Sequence, residues 1–325
     1  MKGKKRLLLG TTASLLAVGA WQWPVDVPDD SVVLQYQPAA AAAVMQGCGS
    51  ESDQGQYLNA DSLKVLVWNI YKQQRSDWLQ ALSEFANGSQ LVLLQEAQAS
   101  PELLRYATHR YPAVAQVAAF SIREQMAGVM TLSSADAEYY CPLREWEPWL
   151  QLPKSSLVSV YALNNGESLM VVNVHAVNFT MGVQAYRQQL HQVMAQIALH
   201  QGPVILAGDF NSWSTTRLAL LRHMAASVGL HEVPFAQDQR KQAFGYPLDH
   251  VFYRGLKIED AVVLNTDASD HNPLAVTFRL PGRPDATAQQ AAVTSHPKAA
   301  TTSAVKNQAV KNPAVKQAPS VTLQP

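Results

Sequence analysis

Between residues 61 and 281 the chain alternates short apolar runs with longer amphipathic stretches. The runs fall at 63–68, 91–94, 128–132, 157–162, 169–174, 204–207, 249–253 and 274–278. They are rich in Val, Leu and Ile, and several are apolar at consecutive positions, which suits strands covered on both faces. Between them the spacing predicts helices over 77–87, 101–109, 184–200 and 215–228. Ser100 followed by Pro101 supplies a cap and a first-turn proline for the second of these. Such alternation predicts a layered α/β domain over 61–281. The runs 157–162 and 169–174 follow each other across Asn164-Asn165-Gly166 and read as a hairpin. The sheet is therefore expected to be mixed, and a purely parallel winding does not fit.

The flanks have a different pattern. Lys2, Lys4, Lys5 and Arg6 precede fifteen uncharged, mostly apolar residues, 7–21, with a small-residue step at Val18-Gly19-Ala20. This arrangement predicts a signal peptide or membrane anchor over 1–25, engaging the membrane and leading to a periplasmic or inner-membrane-anchored protein. The competing reading is a buried helix of a cytoplasmic protein. Residues 26–60 show no sustained period and are read as a linker. Residues 282–325 contain a degenerate repeat, Ala304-Val305-Lys306-Asn307-Gln308 and Ala309-Val310-Lys311-Asn312-Pro313. That composition predicts a disordered basic tail.

Composition adds two constraints. The chain has 325 residues, 47% of them apolar, with 25 basic and 25 acidic side chains. Over 55–282 the balance is 16 basic to 19 acidic. A slightly acidic core argues against broad phosphate neutralisation along a nucleic acid, although one local basic patch would suffice. Two cysteines, Cys48 and Cys141, exclude a cysteine zinc cluster. They could pair in an oxidising compartment, but Cys48 falls in the presumed linker. A monomer is expected.

Polar residues stand at the ends of the apolar runs. Asn69 ends the first and Glu96 follows the second; His175 follows another, with Asn178 three residues on. Asp209 and Asn211 follow Gly208 in Gly-Asp-Phe-Asn; Asp249 opens a run, and Asp270 and His271 precede the last. Catalytic groups gather on loops at one end of a rigid sheet. Residues two apart on an extended segment point the same way, so Asp209 and Asn211 can face one pocket.

In this order, Trp-Asn, Gln-Glu, Asn-x-His, Gly-Asp-Phe-Asn, Leu-Asp and Ser-Asp-His resemble the endonuclease/exonuclease/phosphatase superfamily, with its DNase I-like nucleases, sphingomyelinases and inositol-polyphosphate phosphatases. Stretches such as Leu93-Leu94-Gln95-Glu96-Ala97-Gln98 are similar to an uncharacterised bacterial subfamily. The resemblance implies a four-layer α/β sandwich, two mixed sheets flanked by helices, and Mg²⁺-dependent hydrolysis of a phosphoester, with Mn²⁺ as a substitute. It implies that Glu96, Asn69 and Asp270 hold the metal. Asp209 would orient or deprotonate water, and Asn211, His175 and Asn178 would contact phosphate. His271 would act as base or phosphate contact, with Asp249 fixing its tautomer.

Taken singly, each residue has a plainer role: Glu96 a solvated loop residue, Asn69 a turn residue, Asn211 a helix cap, His175 a satisfied core histidine. Their joint occurrence in family order selects the catalytic reading. His250 departs from the family, which commonly has Tyr or Phe there, and is expected to pack. Arg187 could reach the site, or cap or pair instead; Lys154 and Arg144 could meet an anionic substrate; Trp146 and Trp149 could stack a base, touch lipid, or pack. The expected activity is a phosphodiesterase of endonuclease/exonuclease type, acting on a phosphate ester that could be nucleic acid. The alternatives are a lipid phosphodiesterase or phosphomonoesterase, and a non-catalytic scaffold on the same fold.

Overall fold

The computed structural model describes residues 25–51, 55–180 and 182–281. The expected signal segment, apart from Val25, and the expected tail lie outside them. In chain order the described strands are β1 (Val25–Asp26), β2 (Val32–Gln35), β3 (Ala43–Gln46), β4 (Gly49–Ser50), β5 (Leu63–Asn69), β6 (Leu91–Gln98), β7 (Ala113–Ile122), β8 (Gln125–Ser133), β9 (Tyr139–Trp146), β10 (Pro153–Ala162), β11 (Ser168–His175), β12 (Val204–Asp209), β13 (His231–Glu232), β14 (Gln242–Ala243), β15 (Tyr246–Pro247), β16 (Asp249–Arg254), β17 (Lys257–Val263) and β18 (Leu274–Arg279). The described α-helices are α1 (Trp78–Phe85), α2 (Pro101–Arg110), α3 (Gln184–Leu199) and α4 (Thr215–Ser227).

Two large sheets form. The first runs β17-β18-β5-β6-β8-β7-β2-β3, with β1 on β7; the second runs β13-β16-β12-β11-β10-β9-β4. β5–β6 and β11–β12 are parallel and their other neighbours antiparallel, so both sheets are mixed. Side-chain alternation builds four layers. Val65 and Val67 point between the sheets with Val171, Ile205 and Val251. Leu66 and Trp68 point the other way, onto α1 and α2 with Leu82 and Leu103. Val172, Val174 and Leu206 pack under α3 and α4 with Leu190, Val193 and Leu221.

Every predicted helix and strand is present. The hairpin closes at Ala162↔Ser168, with Gly166 at φ 81° in its turn. Ser100 accepts a hydrogen bond from Leu103 N at 3.2 Å and caps α2 as expected.

Three long strands were not foreseen. β7 is alanine-rich, β9 carries Pro142 and two charges, and β17 is a largely exposed edge, so none shows an unbroken apolar run. The stretch 26–60 is corrected more fundamentally: it is not a bare linker. β2 pairs with β7 and β4 with β9, Leu58 is buried, and Cys48 is bonded to Cys141. The stretch has no period of its own because it adds short edge strands to both sheets. Their register comes from the partners.

Candidate active site

Strand register assembles the site. His175 is paired with Asp209, and Asp209 with Asp249, at the adjoining ends of β11, β12 and β16. On the facing sheet Asn69, the last residue of β5, is paired with Gln95 within β6. A bulge between Leu94 and Ala97 interrupts β6 there, and Glu96 sits in it at φ 51°. The bulge sends consecutive side chains to different tasks. Gln95 turns into the core and donates to Asn173 Oδ1 at 2.7 Å, tying the two sheets together, while Glu96 turns into the cavity.

Gly208 makes room for Asp209. Its φ is 139°, and a Cβ there would lie 2.0 Å from the Val174 carbonyl oxygen, so only glycine lets β12 lie this close to β11. Asn211 follows at φ 46°, so it reaches the cavity through a left-handed turn rather than by extended alternation. Its backbone N–H donates to Asp209 Oδ1 at 2.9 Å, and its amide donates to the Ala176 carbonyl at 2.9 Å.

His271 lies 2.7 Å through Nδ1 from Asp249 Oδ2, and its Nε2 is 3.9 Å from Asp209 Oδ2. Asp209, Asp249 and His271 are buried, and their ligand atoms lie within 4.8 Å of one another. His175 Nε2 is 3.5 Å from Asp209 Oδ2, 3.7 Å from Glu96 Oε1 and 3.1 Å from Lys154 Nζ. Lys72 is ion-paired with Glu96. The loop carrying His271 is fastened to β5 at two points. Trp68 Nε1 donates to the His271 carbonyl at 3.0 Å, and Ser269 Oγ donates to the Asn69 carbonyl at 2.7 Å.

The electrostatics divide these groups. Burial pushes the Asp209 carboxyl up, and Asp249 adds to that, outweighing the His271 cation. Burial opposes charge on His271, but the Asp249 and Asp209 carboxylates overcome it and raise its pKa. Burial pushes His175 well down, with Lys154 and Lys72 adding to it, so that imidazole is neutral. Burial acts upward on Glu96, but Lys72 and Lys154 prevail and hold it ionised.

Glu96, His175, Asn178, Asp209, Asn211 and His271 line one cavity of about 350 Å³, with exposed Asp270 at its edge. Asn69 is adjacent but oriented otherwise than a metal ligand would be. Its amide nitrogen donates to Asp209 Oδ2 at 3.0 Å, and its oxygen accepts from Tyr71 N at 3.1 Å. Lys154 lines the cavity, whereas Arg144 is spent on the Pro28 and Asp29 carbonyls. Arg187 is not among the lining residues. His250 packs as expected, fully buried, with Nδ1 2.7 Å from Glu232 and Nε2 2.8 Å from Ser212 Oγ.

Three supports were missed by sequence reasoning. Arg217, 1% exposed, donates to the carbonyls of Val177, Asn178 and Asn211, and lies over the Tyr186 and Trp213 rings. Gln189 accepts from Val177 N and donates to the His175 carbonyl. Glu147 accepts from the backbone N–H groups of Asn178 and Phe179. Arg217 and Gln189 lie on helices where only burial marks them out, and burial is invisible in a helical pattern.

Carboxylates and imidazoles around one cavity can accept a proton from water, hold a hard cation and contact an anion. The UPF0294 protein YE0917 of Yersinia enterocolitica is 57% identical over 217 residues, 67% of this chain and 84% of that one. The fold is shared with an endonuclease/exonuclease/phosphatase from Beutenbergia cavernae at TM-score 0.55 and 19% identity, covering 70% of this chain and 73% of that one. It is shared also with the mannosyl-6-phosphatase Bt3783 of Bacteroides thetaiotaomicron at TM-score 0.51 and 15% identity, covering 66% and 99%. Members of the family matched by this chain are generally hydrolases of phosphoesters. Residues 66–271 match that family in order, and the chain belongs to the endonuclease/exonuclease/phosphatase family.

Proposed function

We propose that this chain is an exported, divalent-metal-dependent phosphodiesterase. The observation that carries the reading is the Asp249–His271 pair facing Asp209 across 3.9 Å, with Glu96 on the same cavity. Asp209, its carboxyl raised by burial, accepts the proton of the attacking water. His271, kept cationic by two carboxylates, pairs with a phosphoryl oxygen, and Asp249 fixes its ring through Nδ1. Neutral His175 and the amides of Asn178 and Asn211 contact the phosphate. One water is consumed: its oxygen bonds phosphorus, one proton passes to Asp209, and the opposite P–O bond breaks. With Asp209 taking the water's proton and His271 held on a phosphoryl oxygen, the leaving alcohol takes its proton from solvent.

The donor set fits a hard cation. Glu96, Asp209 and Asp270 offer oxygen to one cavity, and Lys72 already holds a positive charge against Glu96. Glu96 and Asp270 would hold Mg²⁺, or Mn²⁺ in its place, with Asn69 joining on rotation of its amide. When bound, the ion would neutralise charge building on the phosphoryl group. Export is supported by the basic, then apolar, first 25 residues and by the Cys48–Cys141 bond, which suits an oxidising compartment.

The test is hydrolysis of bis-p-nitrophenyl phosphate by the full chain with Mg²⁺, Mn²⁺ or EDTA, for wild type and His271→Ala. Turnover is expected only with metal and only in wild type. Turnover surviving both EDTA and the substitution would refute the mechanism. A chain that neither binds metal nor turns over would be a scaffold.

A further inference from the structure

An apolar cleft of about 430 Å³ adjoins the catalytic cavity and shares Asn178, Phe179, Asn211 and Leu248 with it. Trp149, Trp213 and Phe244 complete the aromatic part of its wall, and among the described residues no charged side chain lines it. Several of these rings stand in water: Trp149 is 64% exposed, Phe179 53% and Phe244 85%. Leu150, beside Trp149, is 51% exposed and lines the catalytic cavity.

Phe244 is the informative residue. β14 and β15 pair Ala243 with Tyr246, leaving Phe244 and Gly245 as a two-residue hairpin tip. Both have positive φ, 54° and 83°. Such tips favour Asn, Asp or Gly at the first position, and a bulky side chain there is strained. A phenylalanine held in that backbone and left almost wholly in solvent gains little from folding. Its ring meets Trp213 edge-on at 6.0 Å, and Trp213 in turn donates to Asn178 Oδ1 at 2.8 Å, linking the hairpin to the cavity.

The surroundings decide what this surface meets. A polynucleotide needs a track of cations along its phosphates. The catalytic cavity offers Lys72 and Lys154 against Glu96, Glu147, Asp209 and Asp270, and the described residues of the cleft offer none. Aromatic rings with an apolar body and a polar neighbour suit a lipid–water interface. We propose that the cleft seats the apolar arm of a membrane phospholipid whose phosphodiester enters the cavity, with Phe244 and Trp149 entering the lipid surface. This rests on the phosphodiesterase reading for its chemistry. Water still attacks phosphorus, and one P–O ester bond of the lipid breaks to give a phosphomonoester and an alcohol.

The experiment uses the full chain and a Phe244→Asn/Trp149→Ser variant. Asn suits the left-handed position, so the variant is expected to melt at the wild-type temperature or above it. Three readouts are compared: bis-p-nitrophenyl phosphate turnover, hydrolysis of phosphatidylglycerol/phosphatidylethanolamine vesicles, and flotation with those vesicles. The variant is expected to keep its soluble turnover within about twofold while losing at least about tenfold on vesicle lipid, with weaker flotation. The N-terminal segment is identical in both chains, so it cannot produce the difference. Unchanged vesicle hydrolysis and flotation in the variant would overturn the proposal, as would soluble turnover with no vesicle hydrolysis in wild type. So would a loss seen on single-stranded oligonucleotide instead, which would make the cleft a base-stacking platform. If the soluble diester is not cleaved at all, the phosphodiesterase reading fails. Flotation then judges the lipid contact by itself, a variant-sensitive difference supporting it and none rejecting it.

Discussion

His271 and Asp249 act as one unit, because the carboxylate 2.7 Å from Nδ1 both aims the ring and holds its charge. His271→Ala is expected to lower kcat/KM by roughly 100- to 10,000-fold. Adding Asp249→Asn should lower it little further, since residues acting together are not additive. Steady-state kinetics of the two singles and the double check this, and multiplied losses would separate the pair. Arg217 makes a different prediction. It satisfies three carbonyls beneath Asn178 and Asn211, and each buried acceptor left bare costs about 1–3 kcal/mol. Arg217→Met is expected to cost at least about 3 kcal/mol, and Arg217→Lys should not restore the fork. Denaturant unfolding reads both. The polar residues of the candidate site were legible in sequence because they recur together at strand ends in the family order, although each alone has a plainer role. Arg217 was not, since an arginine inside an amphipathic helix looks like any solvated one.

At the scale of elements, the Gly-Asp-Phe-Asn segment shows why the motif begins with glycine. A Cβ at Gly208 would sit 2.0 Å from the Val174 carbonyl oxygen, at a φ that other residues avoid. Gly208→Ala is expected to cost roughly 2–4 kcal/mol and to displace Asp209, lowering turnover in the surviving folded fraction. A melt like that of wild type would contradict the close strand approach. β13, β16 and the 238–240 turn share a second buried network. Burial acts upward on the Glu232 carboxyl, but hydrogen bonds from His250 and Arg222 prevail and hold it well below the usual range. A depressed folded pKa gives stability that is present above the unfolded value of about 4.3 and is lost as pH falls through the lower folded one. Glu232→Gln should therefore flatten the acid limb of stability below about pH 4 while costing stability at pH 7. Unfolding titrations at both pH values test the sign. The central strands were legible because both faces are covered. The edge strands were not, because pairing partners rather than their own pattern place them, and Glu96's bulge appears only once β6 and β8 are in register.

Over the whole molecule, the Cys48–Cys141 bond closes a long loop, with a sequence separation of 93. Cys141 lies in β9 of the second sheet, while Cys48 lies between β3 of the first sheet and β4 of the second. The bond therefore fastens the N-terminal edge strands, of which β1, β3 and β4 bury little of their own surface, to the rest of the domain. Loop entropy in the unfolded chain sets its worth at roughly 4–5 kcal/mol for a loop of this length. In a folded unit of about 250 residues, each kcal/mol moves the melting temperature by roughly 2–4 °C. A Cys48→Ser/Cys141→Ser variant is therefore expected to melt at least about 8 °C below wild type. Reducing agent should lower wild type by a similar amount and leave the variant unmoved, which separates loss of the bond from loss of packing at the two positions. The site stands on β5, β6, β11, β12 and β16, away from the strands the bond secures. Soluble-diester turnover well below the melt is accordingly expected to be the same in both proteins. A wild type whose melting ignores reductant would show that the edge strands are held by pairing alone, and would remove the disulfide as support for an oxidising compartment.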